Sequence, residues 1–221
     1  MADYFPAFLD LRGRRCLVVG GGEIGERKTR ALLDAGARVT VVSPSLTPGL
    51  AALAASGRLV HRARPFLRAD PRGCVLTVAA TGDPRIDRTV AAAARRWRAL
   101  VNVVDRLRHC DFIVPSVLRR GELQIAVSTG GRSPALAREI RRRLELLFGP
   151  EYGELIARAG EARRRARVAA RTAAERIEAG EHIARLALAG RVPPRGAPAR
   201  SAPRRRRPLP GAPRFAAGAP P

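Results

Sequence analysis

Gly20, Gly22 and Gly25 stand between an apolar run and an amphipathic stretch in "LVVGGGEIGERKTRALLDAGARVTVVSP", Leu17 to Pro44. Three glycines so spaced can do specific chemistry. The first permits a tight turn, the second lets the backbone approach a pyrophosphate, and the third lets the following helix pack closely on the strand. Unpaired N–H groups at the helix start then face the anion. The alternative is a glycine turn that is only structural. About 18 residues past Gly25, where a dinucleotide site usually offers an acid to the ribose, the chain has Ser43, then Pro44 and Ser45. A hydroxyl can hydrogen-bond a ribose, though less strongly than a carboxylate, and it does not repel a 2′-phosphate. Ser43–Pro44–Ser45 also reads simply as a loop.

Asp105 closes the apolar run "LVNVVD", 100–105. Active sites of open parallel sheets lie at the carboxyl ends of strands, where a carboxylate can take a proton from a substrate. Asn102 is a ready polar partner three residues earlier. An aspartate capping the next loop would look the same. Ser128-Thr129-Gly130-Gly131-Arg132-Ser133-Pro134 joins a strand to a helix and offers hydroxyls, flexible backbone and a helix N-terminus to an anionic group. A capped turn is the competing reading, and the following Arg138, Arg141, Arg142 and Arg143 read as a solvated face. His61 and His109 read as surface residues. Cys16, Cys74 and Cys110 show no metal-ligand spacing and no disulfide framework, so no metal site is expected.

The elements that must position these residues follow from periodicity. Strands are expected at 14–19, 38–43, 58–62, 74–81 and 100–105, with helices at 23–36, 47–57 and 83–97. Thr47-Pro48 and Asp83-Pro84 supply helix starts, and Gly36 supplies a stop. "CVLTVAAT", 74–81, is continuously apolar, as in a strand buried on both faces. This alternation predicts an α/β, Rossmann-like parallel sheet with helices on both faces. Beyond Asp105 the pattern changes. Residues 111–129 read as two strands joined at Arg120-Gly121, 130–148 as a helix capped by Ser133, and 151–190 as one or two helices rich in Ala, Arg and Glu.

Charge is lopsided: 42 Lys and Arg against 19 Asp and Glu, a net charge of +23. Residues 1–157 hold 26 basic and 15 acidic residues, and 191–221 hold 8 basic and none acidic. A basic fold attracts nucleic acid, anionic membrane, or a small substrate with many carboxylates. Lys28 is the only lysine, and arginine enrichment itself reads as a GC-rich genome. The tail from 191, with RRRR at 204–207, is too poor in apolar residues to order itself and reads as disordered. It lacks interleaved aromatics, so specific nucleic-acid binding is not expected. No signal peptide and no membrane span are read, and a cytoplasmic location is expected.

Several stretches together resemble one family: "FPAFLDLRGRRCLVVGGGEIGERKTRALLDAGARVTVVSP", "VAATGDPRID", "VNVVD", "DFIVPS" and "IAVSTGGRSPALAREIRRRLE". They are similar to the N-terminal module of siroheme synthases, the precorrin-2 dehydrogenase/sirohydrochlorin ferrochelatase family, over about residues 5–150. The resemblance implies an NAD-binding Rossmann domain at 1–112, a dimerisation region at 113–149, a helical domain at 150–190, and a homodimer. It implies NAD as hydride acceptor, precorrin-2 and sirohydrochlorin as tetrapyrrole substrate and product, and Fe2+ as the substrate of chelation in members that chelate. It places the key carboxylate on Asp105. Cofactor contacts fall on Gly20, Gly22, Glu23, Ile24, Gly25, Ser43, Pro44, Ser45, Thr81 and Asn102. The tetrapyrrole pocket includes Ser128, Thr129, Gly130, Gly131, Ser133 and Pro134. Two readings from other classes stand beside it: an NAD(H)-binding sensor without chemistry, and a polyanion-binding protein acting through its tail.

Overall fold

The computed structural model describes residues 4–190; the basic tail lies outside the described residues. The chain divides into two units, one of residues up to 117 with 126–143, the other of 118–125 with residues from 144 onward.

The first unit is built on five parallel strands. They are β1 (Arg15–Val19), β2 (Arg38–Val42), β3 (Val60–Arg62), β4 (Leu76–Ala79) and β5 (Leu100–Val103), in the spatial order β3-β2-β1-β4-β5. The order reverses between β1 and β4, which is the switch point where open α/β sheets bind ligands. Helices α1 (Glu23–Asp34), α2 (Pro48–Ala55) and α3 (Pro84–Arg96) connect the strands. Alternation along the strands sends Cys16, Val18, Val39, Val41 and Val78 to one face, where Leu32 and Leu33 of α1 and Leu50 and Leu53 of α2 cover them. Leu17, Val19, Val42, Val101 and Val103 go to the other face with Val90, Ala91 and Ala94 of α3. Burial of each such Val or Leu contributes about 1.5–3 kcal/mol, and β4 is buried throughout, as its apolar run requires.

Helix starts are where side-chain chemistry places them. Thr47 accepts a hydrogen bond from the Leu50 amide, and Asp83 accepts from those of Arg85 and Ile86. Several elements are shorter than periodicity suggests. Helix α1 stops at Asp34 because Gly36 turns into the left-handed region at φ 78°. Strand β5 stops at Val103 because Asp105 does the same at φ 57°. Segment 110–112 lies along the outer edge of β5, with the Asp111 amide donating to Val101 O at 2.8 Å and the Asp111 carboxylate accepting from the Val101 amide. An edge so covered offers no pairing site to another chain.

Strands β6 (Ser116–Arg120) and β7 (Leu123–Val127) form a two-stranded sheet, followed by α4 (Pro134–Leu147). Within the second unit, Gly121 and Gly153 approach so closely that a Cβ on the former would lie 3.2 Å from the latter's Cα. Arg120 Nε donates to Phe148 O, and Phe148 packs edge-to-face on Tyr152. Helices α5 (Glu151–Ala169) and α6 (Ala173–Leu188) complete this unit, α6 opening on a capping box between Thr172 and Glu175.

Candidate active site

The turn after β1 requires glycine for reasons internal to the protein at three positions. At Gly20, φ is 117° and a Cβ would stand 2.2 Å from Ala80 O. At Gly25, a Cβ would stand 2.2 Å from Gly20 O, so α1 can close on the turn only without a side chain. Gly21, hidden in the variable position of the motif, meets the same constraint, 2.0 Å from Ser45 O. Gly22 differs. It caps α1 with φ −80°, and a Cβ there would meet nothing within 4 Å. The fold does not demand glycine at Gly22; a pyrophosphate lying close against the backbone there would. The amides of Glu23, Ile24 and Gly25 precede the first helical bond, from Glu26 N–H to Gly22 O at 2.9 Å. They form the positive end of the α1 dipole. These features fit a dinucleotide pyrophosphate.

Around the turn the neighbours are fixed. The Glu26 carboxylate accepts from the Thr47 hydroxyl and from Arg30. These bonds hold it below the usual carboxylate range. Ser43 is buried, with its amide on Arg62 O and its own carbonyl accepting from His61 Nε2 at 2.9 Å. Its hydroxyl packs against Gly21, whereas Pro44 and Ser45 are exposed. The exposed hydroxyl at the end of β2 is therefore that of Ser45. His61 has a structural task on β3. Thr81, after β4, donates its hydroxyl to the buried carboxylate of Asp87 at 2.7 Å, and its amide also points there. Sequence reasoning missed Asp87, whose only signal is its place in the first turn of α3.

Asp105 occupies a left-handed backbone conformation, uncommon for a residue with a side chain. Such strain, about 1–3 kcal/mol, persists where the surroundings enforce it. Asp105 is exposed and, with Arg106, Leu107, Arg108 and His109, lines a cleft of about 470 Å³. Asn102 does not serve as its hydrogen-bond partner. Asn102 is buried and donates Nδ2 to Phe112 O at 3.0 Å, tying the edge segment to β5. Its Oδ1 is buried with no hydrogen-bond partner among the described residues.

The Ser128–Pro134 segment comes to the same place. A Cβ on Gly131 would stand 2.4 Å from the Leu107 side chain, so the loop packs on the cleft wall. Gly130 and Gly131 both take positive φ. Thr129 Oγ1 accepts from the Ser133 amide and donates to Ser133 O, both at 3.0 Å. Ser133 Oγ accepts from the Leu136 amide, capping α4, and Ser128 Oγ accepts from the Gly130 amide. The capped turn is thus real, and it borders the Asp105 cleft. On α4, Glu139 pairs with Arg142 and Arg143 on an exposed surface.

The glycine turn and Asp105 leave the sheet at the same end, since Val19 pairs with Ala79 and Ala79 with Val103. Two strand spacings put them about 10 Å apart, within the reach of one dinucleotide. Among the described residues no group of three or more His, Cys, Asp or Glu could hold a metal ion, and no helix is long and apolar enough to cross a membrane.

Known proteins resemble this chain over much of its length. Residues 7–116 match the family described as "Putative NAD(P)-binding", and residues 120–146 match "Sirohaem biosynthesis protein central". A siroheme synthase of Methylobacillus flagellatus is 50% identical over 161 residues, 73% of this chain and 34% of that protein. Siroheme synthase 1 of Aeromonas salmonicida is 42% identical over 194 residues, 88% of this chain and 42% of that protein. The chain thus spans about a third of the length of the first of these relatives. The solved structure named "SirC, precorrin-2 dehydrogenase" superposes with a TM-score of 0.69 at 27% identity, covering 83% of this chain and 89% of that one. The chain belongs to the siroheme-synthase N-terminal module family.

Proposed function

We propose that this chain oxidises precorrin-2 to sirohydrochlorin with NAD as acceptor. The observation that carries the reading is Asp105, held in a strained conformation on a cleft at the same sheet end as a glycine turn that leaves space at Gly22. Its relatives are siroheme synthases, and its structural neighbour is a precorrin-2 dehydrogenase.

Gly20, Gly21, Gly22 and Gly25, with the first amides of α1, hold the pyrophosphate, and Ser45 with Pro44 meets the adenosine ribose. When bound, the nicotinamide supplies a hydride acceptor. Oxidation removes a hydride from a ring-bridging carbon and a proton from a ring nitrogen, and Asp105 takes that proton. Precorrin-2 carries carboxylates around its rim, and Arg106 and Arg108 on the cleft wall attract them. The Ser128–Pro134 loop borders the macrocycle.

The proposal extends to ferrochelation, in which Asp105 again receives protons from ring nitrogens as Fe2+ enters; the metal's ligands are the macrocycle's nitrogens. It also extends to a homodimer formed through 113–149, where Val114, Leu136, Leu146 and Leu147 are exposed apolar side chains. The test is incubation of the purified protein with precorrin-2 and NAD, with and without Fe2+ or Co2+. NADH and the sirohydrochlorin spectrum report oxidation, and the metallated spectrum reports chelation. Size-exclusion chromatography with light scattering reports the dimer.

A further inference from the structure

Glu26 stands in the first turn of α1, next after Gly25, and is half-buried. Its carboxylate crosses to the connection between β2 and α2 and accepts a hydrogen bond from the Thr47 hydroxyl. Arg30, one turn further along α1, donates to the same carboxylate from Nε at 2.9 Å and from Nη2 at 2.6 Å. Gly49 leaves room for it, since a Cβ there would stand 2.1 Å from Glu26 Oε1. The carboxylate therefore lies against the first turn of α2, where the helix dipole favours negative charge.

Thr47 joins three parts of the site. Its amide donates to Gly21 O at 2.9 Å, and its hydroxyl donates to Glu26 while accepting from the Leu50 amide at 3.3 Å. The loop it anchors is pressed onto the glycine turn: a Cβ on Gly21 would lie 2.0 Å from Ser45 O and 3.0 Å from Leu46 Cδ2. The backbone bond to Gly21 is one point of attachment. The side-chain bond to Glu26 is a second, and two points fix the loop's orientation where one leaves it free to pivot.

We infer that Glu26 is a positioning residue for the adenosine half of the cofactor: through Thr47 it clamps the Ser43–Leu46 loop onto the glycine turn, so that the ribose and pyrophosphate contacts keep a fixed spacing. The clamp's role rests on the NAD reading of the site above and not on the tetrapyrrole. Glu26 acts through Thr47 and the loop. The sign of its effect is informative. A bare carboxylate near a bound diphosphate repels it, so its removal would strengthen binding. Here Arg30 balances that charge, and losing the clamp should weaken binding.

The experiment titrates the full-length protein with NAD by calorimetry, and with AMP and nicotinamide mononucleotide by NMR. Glu26→Ala should weaken NAD and AMP by the same factor, about three- to tenfold, as the loss of one hydrogen bond implies. Nicotinamide mononucleotide should stay within about twofold of the parent, which a general loosening of the fold would not allow. Glu26→Gln, whose amide oxygen still accepts from Thr47, should bind NAD within about twofold of the parent. The double variant Glu26→Ala/Thr47→Val should lose no more than Thr47→Val alone, because the two residues act as one unit. If Glu26→Ala does not fold, Thr47→Val against Thr47→Ser makes the same comparison, with serine restoring AMP affinity. A folded Glu26→Ala protein that binds NAD as tightly as the parent or tighter would overturn the inference, as would equal losses for the two mononucleotides or additive losses in the double variant. A folded parent that binds no NAD would instead refute the cofactor reading, and the clamp's role with it.

Discussion

Replacing Gly22 with alanine separates contact with a ligand from the needs of the fold. The backbone at Gly22 has φ −80°, which alanine adopts freely, and the new Cβ meets no atom within 4 Å. Alanine is a poorer helix cap than glycine but gives up less backbone entropy on folding. These effects oppose each other, each within about 1 kcal/mol. The melting temperature should therefore move by no more than about 2–4 °C. NAD affinity should fall at least about tenfold, or about 1.4 kcal/mol, because the methyl occupies the approach of the pyrophosphate. Gly20→Ala is the contrast. A Cβ 2.2 Å from a backbone oxygen at φ 117° forces the β1 and β4 loops apart. It should cost about 3 kcal/mol or more and lower the melting temperature by roughly 6–12 °C. Calorimetric titration with NAD and thermal unfolding of both proteins read the two effects. An intact, stable Gly22→Ala protein that binds NAD as tightly as the parent would refute the reasoning.

Asp105→Asn should retain NAD affinity and stability, since asparagine tolerates positive φ, while precorrin-2 oxidation falls about 10²–10⁴-fold; steady-state rates and NAD titration check both. Asp70 is buried; burial alone would raise its pKa, but hydrogen bonds from Arg64, the Leu67 amide and Arg62 outweigh this and lower it. Its contribution is therefore present above the ordinary aspartate value near about 3.9 and is lost as pH falls through the lower folded value. Asp70→Asn should cost about 1–3 kcal/mol at neutral pH and flatten acid unfolding, as followed by circular dichroism. The Cys16 thiol, pushed up to about 11 by burial and by Cys74, should resist iodoacetamide at neutral pH and react only on unfolding, as mass spectrometry will show.

Much of the first unit is written locally. The alternation of apolar runs with amphipathic stretches places all five strands and three helices to within a few residues, helped by Thr47 and Asp83, which cap α2 and α3 through amides two or three residues away. The reversal at Arg120-Gly121 is legible for the same reason. What local pattern cannot convey is contact across the chain. Ser43 stands where the ribose was expected to find its partner, yet Gly21 presses against it and leaves the exposed hydroxyl to Ser45. Asp87 reads as a helix-start acid but is buried under Thr81. Asn102, three residues before Asp105, turns instead to Phe112. The positive φ of Asp105 has no sequence mark at all; it follows from how the chain must leave β5 to reach the covered edge.

The central claim is that Asp105 and the glycine turn act on one tetrapyrrole in one cleft. The direct measurement mixes the purified chain with precorrin-2 and NAD and follows NADH and sirohydrochlorin together. The account predicts that both form in equal amounts and that Asp105→Asn, with NAD still bound, forms neither at a comparable rate. A folded protein that binds NAD and leaves precorrin-2 unchanged would contradict it.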